Sequence, residues 1–428
     1  MLDIKLIRDN PESVRENLKK RQDPEKLQML DELIKNDSKW RKLVSDENFL
    51  RAERNRLSLE IGKLKSEKKD FSKKMKEAEK IPEEIKKIDN EIKACEEKNG
   101  FLLSKIPNIL HESVPFGKDD KDNVEIRKWG KEPKFDFKPE DHLTILQKLG
   151  LIDLETAAKV SGAGFYFLKD DLLLLDMALQ RFALDFLSKK GFTIFEPPYM
   201  VNRRVYEGMI GDPTDFGEAS YKIENEDLYL IPTSEYSVGA IFIDKVLDKK
   251  DLPIKVCGVS PCFRREVGTH GKYAKGLFRV HQFNKVEQFV FCLPDQSWKL
   301  HEEIQNNTEE MLQALGLHYR VVNVCTGDIG TKAAKKYDTE VWMADGNFRE
   351  VGSNSNILDY QARGMNIKFR EGEGKPPAGF VHMLNNTAIA TSRIMIAIVE
   401  QFQQKDGSVV IPKILRPYMN GKEIIKKS

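Results

Sequence analysis

The sequence predicts an α+β protein in which an N-terminal antiparallel coiled-coil hairpin is followed by a mainly antiparallel sheet flanked by helices. Residues 27–105 are rich in Lys, Glu, Arg, Leu and Ile and contain almost no glycine, a composition typical of long helices. From Gly191 onward, short β-rich segments follow one another with few helices between them, which favours antiparallel pairing. Neither GxGxxG nor GxxxxGK[ST] occurs, so a doubly wound nucleotide-binding fold is not indicated.

Apolar spacing predicts the helical hairpin. Leucines recur every seven residues in its first half, a second apolar set fits the companion heptad position, and the second half steps by four and three. These residues are Leu43, Leu50, Leu57 and Leu64; Leu33, Trp40 and Ile61; and Ile81, Ile85, Ile88, Ile92, Cys95 and Leu102. Pro82 suits the first turn of a new helix, so the chain is predicted to reverse between Lys68 and Pro82. Scaffolds and dimerisation arms share this pattern, so the hairpin alone identifies no function.

The length of the chain predicts more than one domain. At 428 residues it exceeds one ordinary hydrophobic core. We expect an N-terminal domain over residues 1–110 that carries the long arm (about 27–105), a linker over residues 111–138 and a larger domain over residues 139–428. The linker is expected because the helical pattern ends there in a stretch with prolines and mixed charge.

The amino-acid composition limits the cellular compartment and the binding partners that can be expected. The net charge is +2 with 32% charged residues, so contact with nucleic acid requires local basic patches. The 5 cysteines form no CxxC pair, and an odd count argues against a disulfide framework. No apolar run is long enough to span a bilayer, and the N-terminus lacks a signal-peptide hydrophobic region. We therefore expect a cytoplasmic protein without membrane contact.

The stretch from Cys262 to Phe291 concentrates charge on a predicted β-hairpin. Two β-rich segments flank a loop of glycines and cations, and arginines on a covered sheet need anionic partners. Two interpretations remain open from the residues alone. Arg264, Arg265 and Arg279 either form salt bridges with Glu266 and Glu287, or they bind a phosphate or a nucleic acid, for which the glycine-rich loop is suited.

Further polar residues are placed at strand ends or turns of the larger domain. They are Thr233, Ser234 and Glu235; Glu350, Ser353 and Asn354; and Asn385, Thr387 and Arg393, ahead of an apolar helix predicted to begin near Ala388. Glu287 is expected to follow the returning strand of the cationic hairpin. No Ser-His-Asp spacing, nucleophile elbow or zinc-binding set accompanies them. Arginines with a carboxylate able to hold Mg²⁺ instead favour phosphoryl or nucleotidyl transfer.

Several segments carry a resemblance to a known family. GFTIFEPPYMV around Pro198, SPCFRREVGTHGKYAKGLFRVHQFNKVEQF and NNTAIATSRIMIAIVE resemble, in this order, the three motifs of class II aminoacyl-tRNA synthetases. With PTSE at 232–235, the ending ILRPYMNGKE and the N-terminal hairpin, the whole chain resembles the seryl-tRNA synthetases. The resemblance implies ATP-dependent attachment of serine to tRNA(Ser) through seryl-adenylate, with release of AMP and pyrophosphate. It also implies a homodimer joined through the first motif.

The resemblance implies a role for each matching position. ATP binding is implied for Arg264, Arg265, Glu266, Val280, Phe283, Glu350, Val351, Gly352, Ser353 and Arg393. L-serine binding is implied for Thr233, Ser234, Glu235, Arg264, Glu287, Asn385 and Thr387. Mg²⁺ ligation is implied for Glu350 and Ser353, and the main catalytic residues would be Arg264, Arg393 and Glu350. The loop from Val267 to Gly276 would reach the acceptor end of the tRNA, and the helical arm would bind its long variable arm.

Two positions depart from the family pattern, and two other classes of protein compete with this interpretation. Asn354 replaces a usual cysteine, and Gly364 follows Arg363 where the family usually has a second arginine. One competing class is another class II ligase, such as a threonyl or prolyl enzyme, or a truncated relative that loads a carrier protein. A threonyl enzyme would need zinc ligands, and the carrier-loading relatives lack the arm. The other class is a non-catalytic coiled-coil adaptor, against which the charged residues Arg264, Glu266, Glu350 and Arg393 argue.

Overall fold

The protein consists of two compact units, Met1–Pro107 and Asn108–Ser428, in a computed structural model that describes residues 1–210, 220–266 and 276–427. The boundary follows the end of the second long helix. Residues 111–138, predicted as a linker, contribute a strand, Val124–Trp129, that pairs with Tyr319–Asn323 in the main sheet. No helix in the described part of the chain is long and apolar enough to cross a membrane.

The first unit contains four helices, which are α1 (Ile4–Asp9), α2 (Pro11–Lys19), α3 (Pro24–Ser66) and α4 (Ser72–Lys105). Asp23 caps α3 by accepting hydrogen bonds from the backbone of Glu25 and Lys26, and a capped N-terminus with proline in the first turn is a strong helix start. Helices α3 and α4 form the predicted hairpin, and the chain reverses between Ser66 and Ser72. The observed reversal therefore overlaps the N-terminal part of the predicted region, Lys68 to Pro82, and begins slightly before it.

The role assigned to Pro82 was wrong, because this proline lies inside α4 and not in its first turn. Pro82 is exposed, whereas its neighbours Ile81 and Ile85 are buried in one cluster with Leu57. Packing of these side chains keeps the chain helical at Pro82, although proline cannot donate a backbone hydrogen bond. A polar contact also joins the two helices, where Asn99 Oδ1 accepts a hydrogen bond of 2.8 Å from Asn36 Nδ2.

The second unit is built on an eight-stranded sheet that is mainly antiparallel, as predicted. In chain order the strands of the unit are β1 (Val124–Trp129), β2 (Ile152–Asp153), β3 (Phe167–Leu168), β4 (Thr193–Phe195), β5 (Met200–Asn202), β6 (Leu228–Leu230), β7 (Val246–Asp248), β8 (Ile254–Phe263), β9 (Gln282–Cys292), β10 (Tyr319–Asn323), β11 (Lys335–Trp342), β12 (Phe348–Leu358), β13 (Lys368–Arg370), β14 (Pro377–Phe380), β15 (His382–Ala390), β16 (Val409–Val410) and β17 (Ile424–Ile425). The main sheet has the order β1-β10-β11-β12-β15-β9-β8-β4. Within it, β4 pairs with β8 in parallel.

Helices cover this sheet. They are α5 (His142–Leu149), α6 (Leu154–Ser161), α7 (Asp170–Lys189), α8 (Arg203–Ile210), α9 (Glu235–Val238), α10 (Ser297–Leu315), α11 (Tyr360–Met365) and α12 (Thr391–Gln401). Short 3₁₀ helices span Asp120–Asp122, Lys249–Asp251, Pro294–Gln296 and Lys413–Met419. The largest apolar core includes α7, α10 and α12, and a second core forms around α8, α9 and α11.

Strand β9 separates these cores and positions the site. Side chains alternate between the two faces of a strand. Val286 and Val290 enter the larger core, whereas Phe289 and Phe291 enter the second core. Lys285 and Glu287 have the same parity as the two phenylalanines, so the charged end of β9 opens onto a cavity on the face that carries the second core.

Candidate active site

A cavity of about 360 Å³ lies in the second unit. Its walls come from β9, β12 and β15, from residues 232–236, from the residues that follow β8, from the first turn of α12 and from the segment before β11. The predicted residues that line it are Thr233, Glu235, Arg264, Glu266, Val280, Phe283, Glu287, Glu350, Val351, Gly352, Ser353, Asn385, Thr387 and Arg393. Residues far apart in the sequence therefore meet around one space, because β12, β15 and β9 are neighbours in the sheet.

Two arginines and two aromatic rings form one end of the cavity. The Arg264 guanidinium lies 5.2 Å from the ring centroid of Phe283, and its Nε donates a hydrogen bond of 3.3 Å to Pro232 O. The Arg393 guanidinium lies 4.8 Å from the ring centroid of Phe278. Flat cationic and aromatic groups of this kind can stack on the faces of a planar ring and bind anionic oxygens at their edges.

The ion pairs of the cationic hairpin decide between the two interpretations of its arginines. Arg279 pairs with Glu266 at 3.2 Å, but Glu287 pairs with Lys285 at 2.7 Å. Among the described residues, Arg264 forms no ion pair with a carboxylate, and it lines the cavity. The salt-bridge interpretation therefore holds for Arg279, whereas Arg264 is placed to bind an anion.

A second group of oxygen atoms surrounds Glu350. Arg393 Nη1 donates a hydrogen bond of 2.9 Å to the backbone oxygen of Glu350 and lies 3.4 Å from its carboxylate. The Ser353 hydroxyl donates to the Asp338 carboxylate, which lies 3.4 Å from Lys336 Nζ. Hydroxyl and carboxylate oxygens are the donors that Mg²⁺ prefers. The residues present therefore fit the ion that the sequence predicts here.

The cations around Glu350 favour its ionised form, and its side chain is 47% exposed. Partial removal from water favours the protonated acid, but attraction to Arg393, Lys336 and Arg264 outweighs it and lowers the pKa of Glu350. For Asp338 burial dominates and raises the pKa to about 6. The two carboxyl groups are coupled through space, so ionisation of one opposes ionisation of the other.

The cavity lining also contains two buried carboxylates, each with its own lysine. Glu235 Oε1 accepts a hydrogen bond of 2.6 Å from Lys332 Nζ and one of 2.7 Å from Gln361 Nε2. Glu287 lies 2.7 Å from Lys285 Nζ, and both of these side chains are almost completely buried. Buried polar atoms are nearly always paired in folded proteins.

The Asn385 amide nitrogen is a further polar group in this part of the cavity. It is buried and has no hydrogen-bond partner among the described residues. Strand β15 carries both Asn385 and Thr387, and Thr387 is opposite Glu287 in the register with β9. The cavity thus offers acceptors from two carboxylates together with an amide donor, which suits a small polar ligand.

The surroundings of the two carboxylates shift their pKa values in opposite directions. Burial raises the pKa of Glu235, but Lys332 and Gln361 overcome this effect and the net pKa is lowered. For Glu287 burial prevails over the attraction of Lys285, and the pKa is raised. Glu235 is therefore the more firmly ionised of the two.

Two predicted site residues lie outside the cavity lining. Arg265 is exposed beside Glu266. Ser234 is buried, and its hydroxyl donates to Gly258 O in β8 at 3.2 Å. The loop predicted to reach the tRNA acceptor end, Val267 to Gly276, lies outside the described residues except for Gly276.

Three predictions of position within elements were wrong. Glu350, Ser353 and Asn354 lie inside β12 and not at a strand end or turn. Glu287 lies inside β9 and does not follow it, and the helix predicted to begin near Ala388 begins at Thr391. Asn385 and Thr387 therefore lie in β15, and Arg393 lies in the first turn of α12. The apolar residues Ala388 to Ala390 continue the buried strand β15. A short apolar run of this kind cannot be distinguished from a buried helix by periodicity alone.

Sequence reasoning missed several cavity residues. They are Asp328, Lys332, Lys336, Phe278 and Lys285, and Gln361 and Asp338 stand directly behind the lining. Lys285 could have been found, because it precedes Glu287 by two positions on one strand and so shares its face. No sequence pattern near Lys332 indicates its contact with Glu235, because the two residues are far apart in the chain and meet only in the folded protein.

Comparison with known proteins confirms the resemblance read from the motifs. The seryl-tRNA synthetase N-terminal domain model matches residues 1–110, and the tRNA synthetase class II core domain model (G, H, P, S and T) matches residues 220–402. A curated serine–tRNA ligase from Methanocella arvoryzae is 53% identical over 426 residues, 99% of this chain and 100% of its own.

Two solved structures support the same relationship over the full chain. The seryl-tRNA synthetase from Pyrococcus horikoshii complexed with ATP has a TM-score of 0.96 at 47% identity and covers 100% of both chains. The cytoplasmic serine–tRNA ligase from Naegleria fowleri in complex with AMP has a TM-score of 0.90 at 34% identity, covering 100% of this chain and 99% of its own.

Proposed function

Because the chain belongs to the seryl-tRNA synthetase family, we propose that its 360 Å³ cavity binds ATP and L-serine side by side and joins them as seryl-adenylate. The protein is a serine–tRNA ligase, a class II aminoacyl-tRNA synthetase that attaches serine to tRNA with ATP as substrate. One observation carries the proposal. Arg264 and Arg393 face the same cavity as the paired carboxylates Glu235 and Glu287, so a triphosphate and an ammonium group each meet opposite charge.

The nucleotide would occupy the end of the cavity with the arginines. Phe283 and Arg393 would take the two faces of adenine, with Glu266 and the Val280 backbone at its edge. Arg264 would bind the α-phosphate and the serine carboxylate together, so that a carboxylate oxygen attacks the α-phosphorus in line and pyrophosphate leaves. Neutralising the charge that grows on the α-phosphate is the main contribution of Arg264.

Glu350 and Ser353 would hold a magnesium ion against the phosphates. This ion, when bound, supplies positive charge that stabilises the departing pyrophosphate. Arg393 keeps the Glu350 carboxylate ionised and oriented, since it contacts both the backbone oxygen and the carboxylate of Glu350. Val351 and Gly352 bring the backbone of β12 along the cavity wall.

Serine would be selected by the carboxylate end of the cavity. Thr233 and Glu235 would receive the ammonium group, while Glu287, Asn385 and Thr387 would surround the hydroxyl. An amino acid without the hydroxyl would leave a buried acceptor unpaired, and such a loss can support discrimination of about 10⁴. The buried Asn385 amide nitrogen, which has no hydrogen-bond partner in the described part of the chain, supports this arrangement.

The tRNA and a second copy of the chain would use other surfaces. Exposed lysines and arginines along α3 and α4 suit phosphate contacts with the long variable arm of tRNA(Ser). On α7, which precedes the first motif, Leu173, Leu174 and Met177 are 44%, 39% and 57% exposed, and Met200 of that motif is 44% exposed. Exposed apolar side chains on these two segments support a homodimer. Function on cellular tRNA also implies a cytoplasmic enzyme.

ATP–pyrophosphate exchange with each of the twenty amino acids in turn tests the proposal. We expect exchange with L-serine alone at low substrate concentration, dependent on Mg²⁺. Exchange supported equally by alanine, which lacks the hydroxyl, would show that Glu287, Asn385 and Thr387 do not select it. The same assay on a Glu235→Gln variant should show a raised KM for serine.

A further inference from the structure

Lys332 is a cavity lysine that lies outside every motif of the sequence. It lies in the segment between β10 and β11, and its Nζ is 2.6 Å from Glu235 Oε1. The two side chains are 16% and 7% exposed, so the pair is shielded from water. Lys332 Nζ also lies 5.9 Å from the ring centroid of Tyr236, the residue after Glu235.

A second donor reaches the same oxygen atom. Gln361 on α11 is fully buried, and its Nε2 donates to Glu235 Oε1 at 2.7 Å and to the backbone oxygen of Met209 at 2.9 Å. Glu235 thus receives one donor from the loop before β11 and one from α11. Both hydrogen bonds fall on Oε1, and among the described residues none is formed with Oε2. The carboxylate is therefore fixed in one orientation with one oxygen left for a ligand.

The charges around Glu235 show why Lys332 matters. The charged groups that face it are Lys332 from the loop, and Lys285 and Glu287 from β9. Lys285 is in direct contact with Glu287. Without Lys332, one lysine would have to balance two buried carboxylates, and burial would then favour the protonated form of Glu235.

We propose that Lys332 is a positioning residue for serine recognition, which together with Gln361 holds Glu235 ionised and presents its Oε2 to the substrate ammonium group. This inference rests on the proposed role of Glu235 in the serine pocket. Lys332 itself does not touch the reacting atoms. Its contribution is to the binding of serine and to the pH range over which serine binds.

The test is ATP–pyrophosphate exchange by the full-length enzyme carrying Lys332→Met, with L-serine varied at a series of pH values. We expect the KM for serine to rise about tenfold, as for loss of one charged hydrogen bond, with kcat and the KM for ATP near those of the wild type. The acid limb of kcat/KM for serine should move to higher pH, because the pKa of Glu235 rises when its cation is removed. Lys332→Arg should restore most of both properties.

Lys335→Met is the matched control. Lys335 follows Lys332 by three positions, but its Nζ lies 4.9 Å from the Tyr337 ring centroid and it does not line the cavity. This variant should leave the KM for serine and the pH profile unchanged. Where Lys332→Met unfolds in a thermal melt, Lys332→Gln, which keeps a donor and removes the charge, replaces it and should show the same pH shift.

The outcomes separate this inference from the proposed function. An unchanged KM for serine in Lys332→Met, with a raised KM in Glu235→Gln, would overturn the role of Lys332 alone. A lowered KM would also overturn it, since Lys332 would then compete with the substrate ammonium group. An unchanged KM in Glu235→Gln would instead remove Glu235 from the serine pocket.

Discussion

One ion pair of the helical hairpin and one of the cavity lie in opposite surroundings. In the helical hairpin, Lys39 and Glu91 pair at 2.9 Å with side chains that are 57% and 53% exposed. In the second unit, Lys285 and Glu287 pair at 2.7 Å with side chains that are 6% and 2% exposed. An exposed pair adds little stability, whereas burying a pair costs desolvation energy that attraction often fails to recover. The buried charges are thus better explained by ligand binding than by folding, and the exposed ones by contact with solvent or a polyanion.

The largest expected effect tests the buried side of this comparison. Replacing Arg264 with Ala should lower the rate of serine-dependent ATP–pyrophosphate exchange by about 10³-fold, because the α-phosphate loses its main cationic partner. A thermal melt should remain close to that of the wild type, since Arg264 forms no ion pair within the described part of the chain. Near-normal exchange would show that this arginine does not act on the phosphate.

A pH titration of stability extends the comparison to a buried group outside the cavity. His301 on α10 is 1% exposed, and burial lowers its pKa from 6.5 to about 4. Because the folded protein disfavours the charged imidazole, stability should be constant above pH 6.5 and should fall as the pH drops from 6.5 towards 4. The expected loss is about 3 kcal/mol.

The measurement for His301 is chemical denaturation at a series of pH values with wild type and His301→Gln. The variant should lose this part of the pH dependence while keeping the fold, because an amide can replace the weak 3.4 Å contact of the imidazole with Asn354 O. Equal slopes of stability against pH in the two proteins would show that His301 is not the titrating group.

Deleting the outer part of the helical hairpin tests its proposed role with tRNA. Residues 43–93 would be replaced by a short Gly/Ser linker, which leaves Trp40 opposite Glu96, where Trp40 Nε1 donates at 3.2 Å. Adenylate formation should be spared, because the cavity lies wholly in the second unit. Aminoacylation of tRNA should fall about a hundredfold in kcat/KM, since the phosphate contacts of the arm are lost.

An unchanged rate of charging by this variant would assign the hairpin to a scaffolding role, the alternative that its sequence pattern left open. The fold of the hairpin itself was predictable from the sequence, because the spacing of Leu57, Ile81 and Ile85 is a local property of each helix. The role of Pro82 was not predictable, since burial of its neighbours decides whether a proline ends a helix.

Some residues of the candidate site could be predicted from local sequence patterns, whereas others could not. Arg264, Glu287 and Arg393 belong to segments that the sequence marks by motif, and the structure gathers them in one cavity. Lys332 and Gln361 reach Glu235 from distant parts of the chain. Only the three-dimensional arrangement relates these partners, and a single sequence does not record it.

A matched pair of truncations in α3 measures how the hairpin is held together. Leu57 is 2% exposed in the seam, whereas Leu59 on the same helix is 77% exposed. Leu57→Ala should lower the free energy of unfolding of the isolated residues 1–107 by about 2 kcal/mol through lost packing. Leu59→Ala should leave it unchanged. Similar effects of the two substitutions, measured by urea denaturation, would contradict the assigned seam.

The smallest effect is expected at the exposed ion pair of the hairpin. Lys39→Ala, Glu91→Ala and the double variant form a cycle in which the coupling between the two side chains can be measured by urea denaturation. We expect no measurable coupling at physiological salt, because both side chains are more than half exposed and ions screen their attraction. A clear coupling would mean that surface charge stabilises the hairpin. The exposed pair of the hairpin and the buried pair of the cavity would then differ only in the strength of their interaction. An absent coupling leaves the hairpin lysines free to exchange their partners for the phosphates of a tRNA.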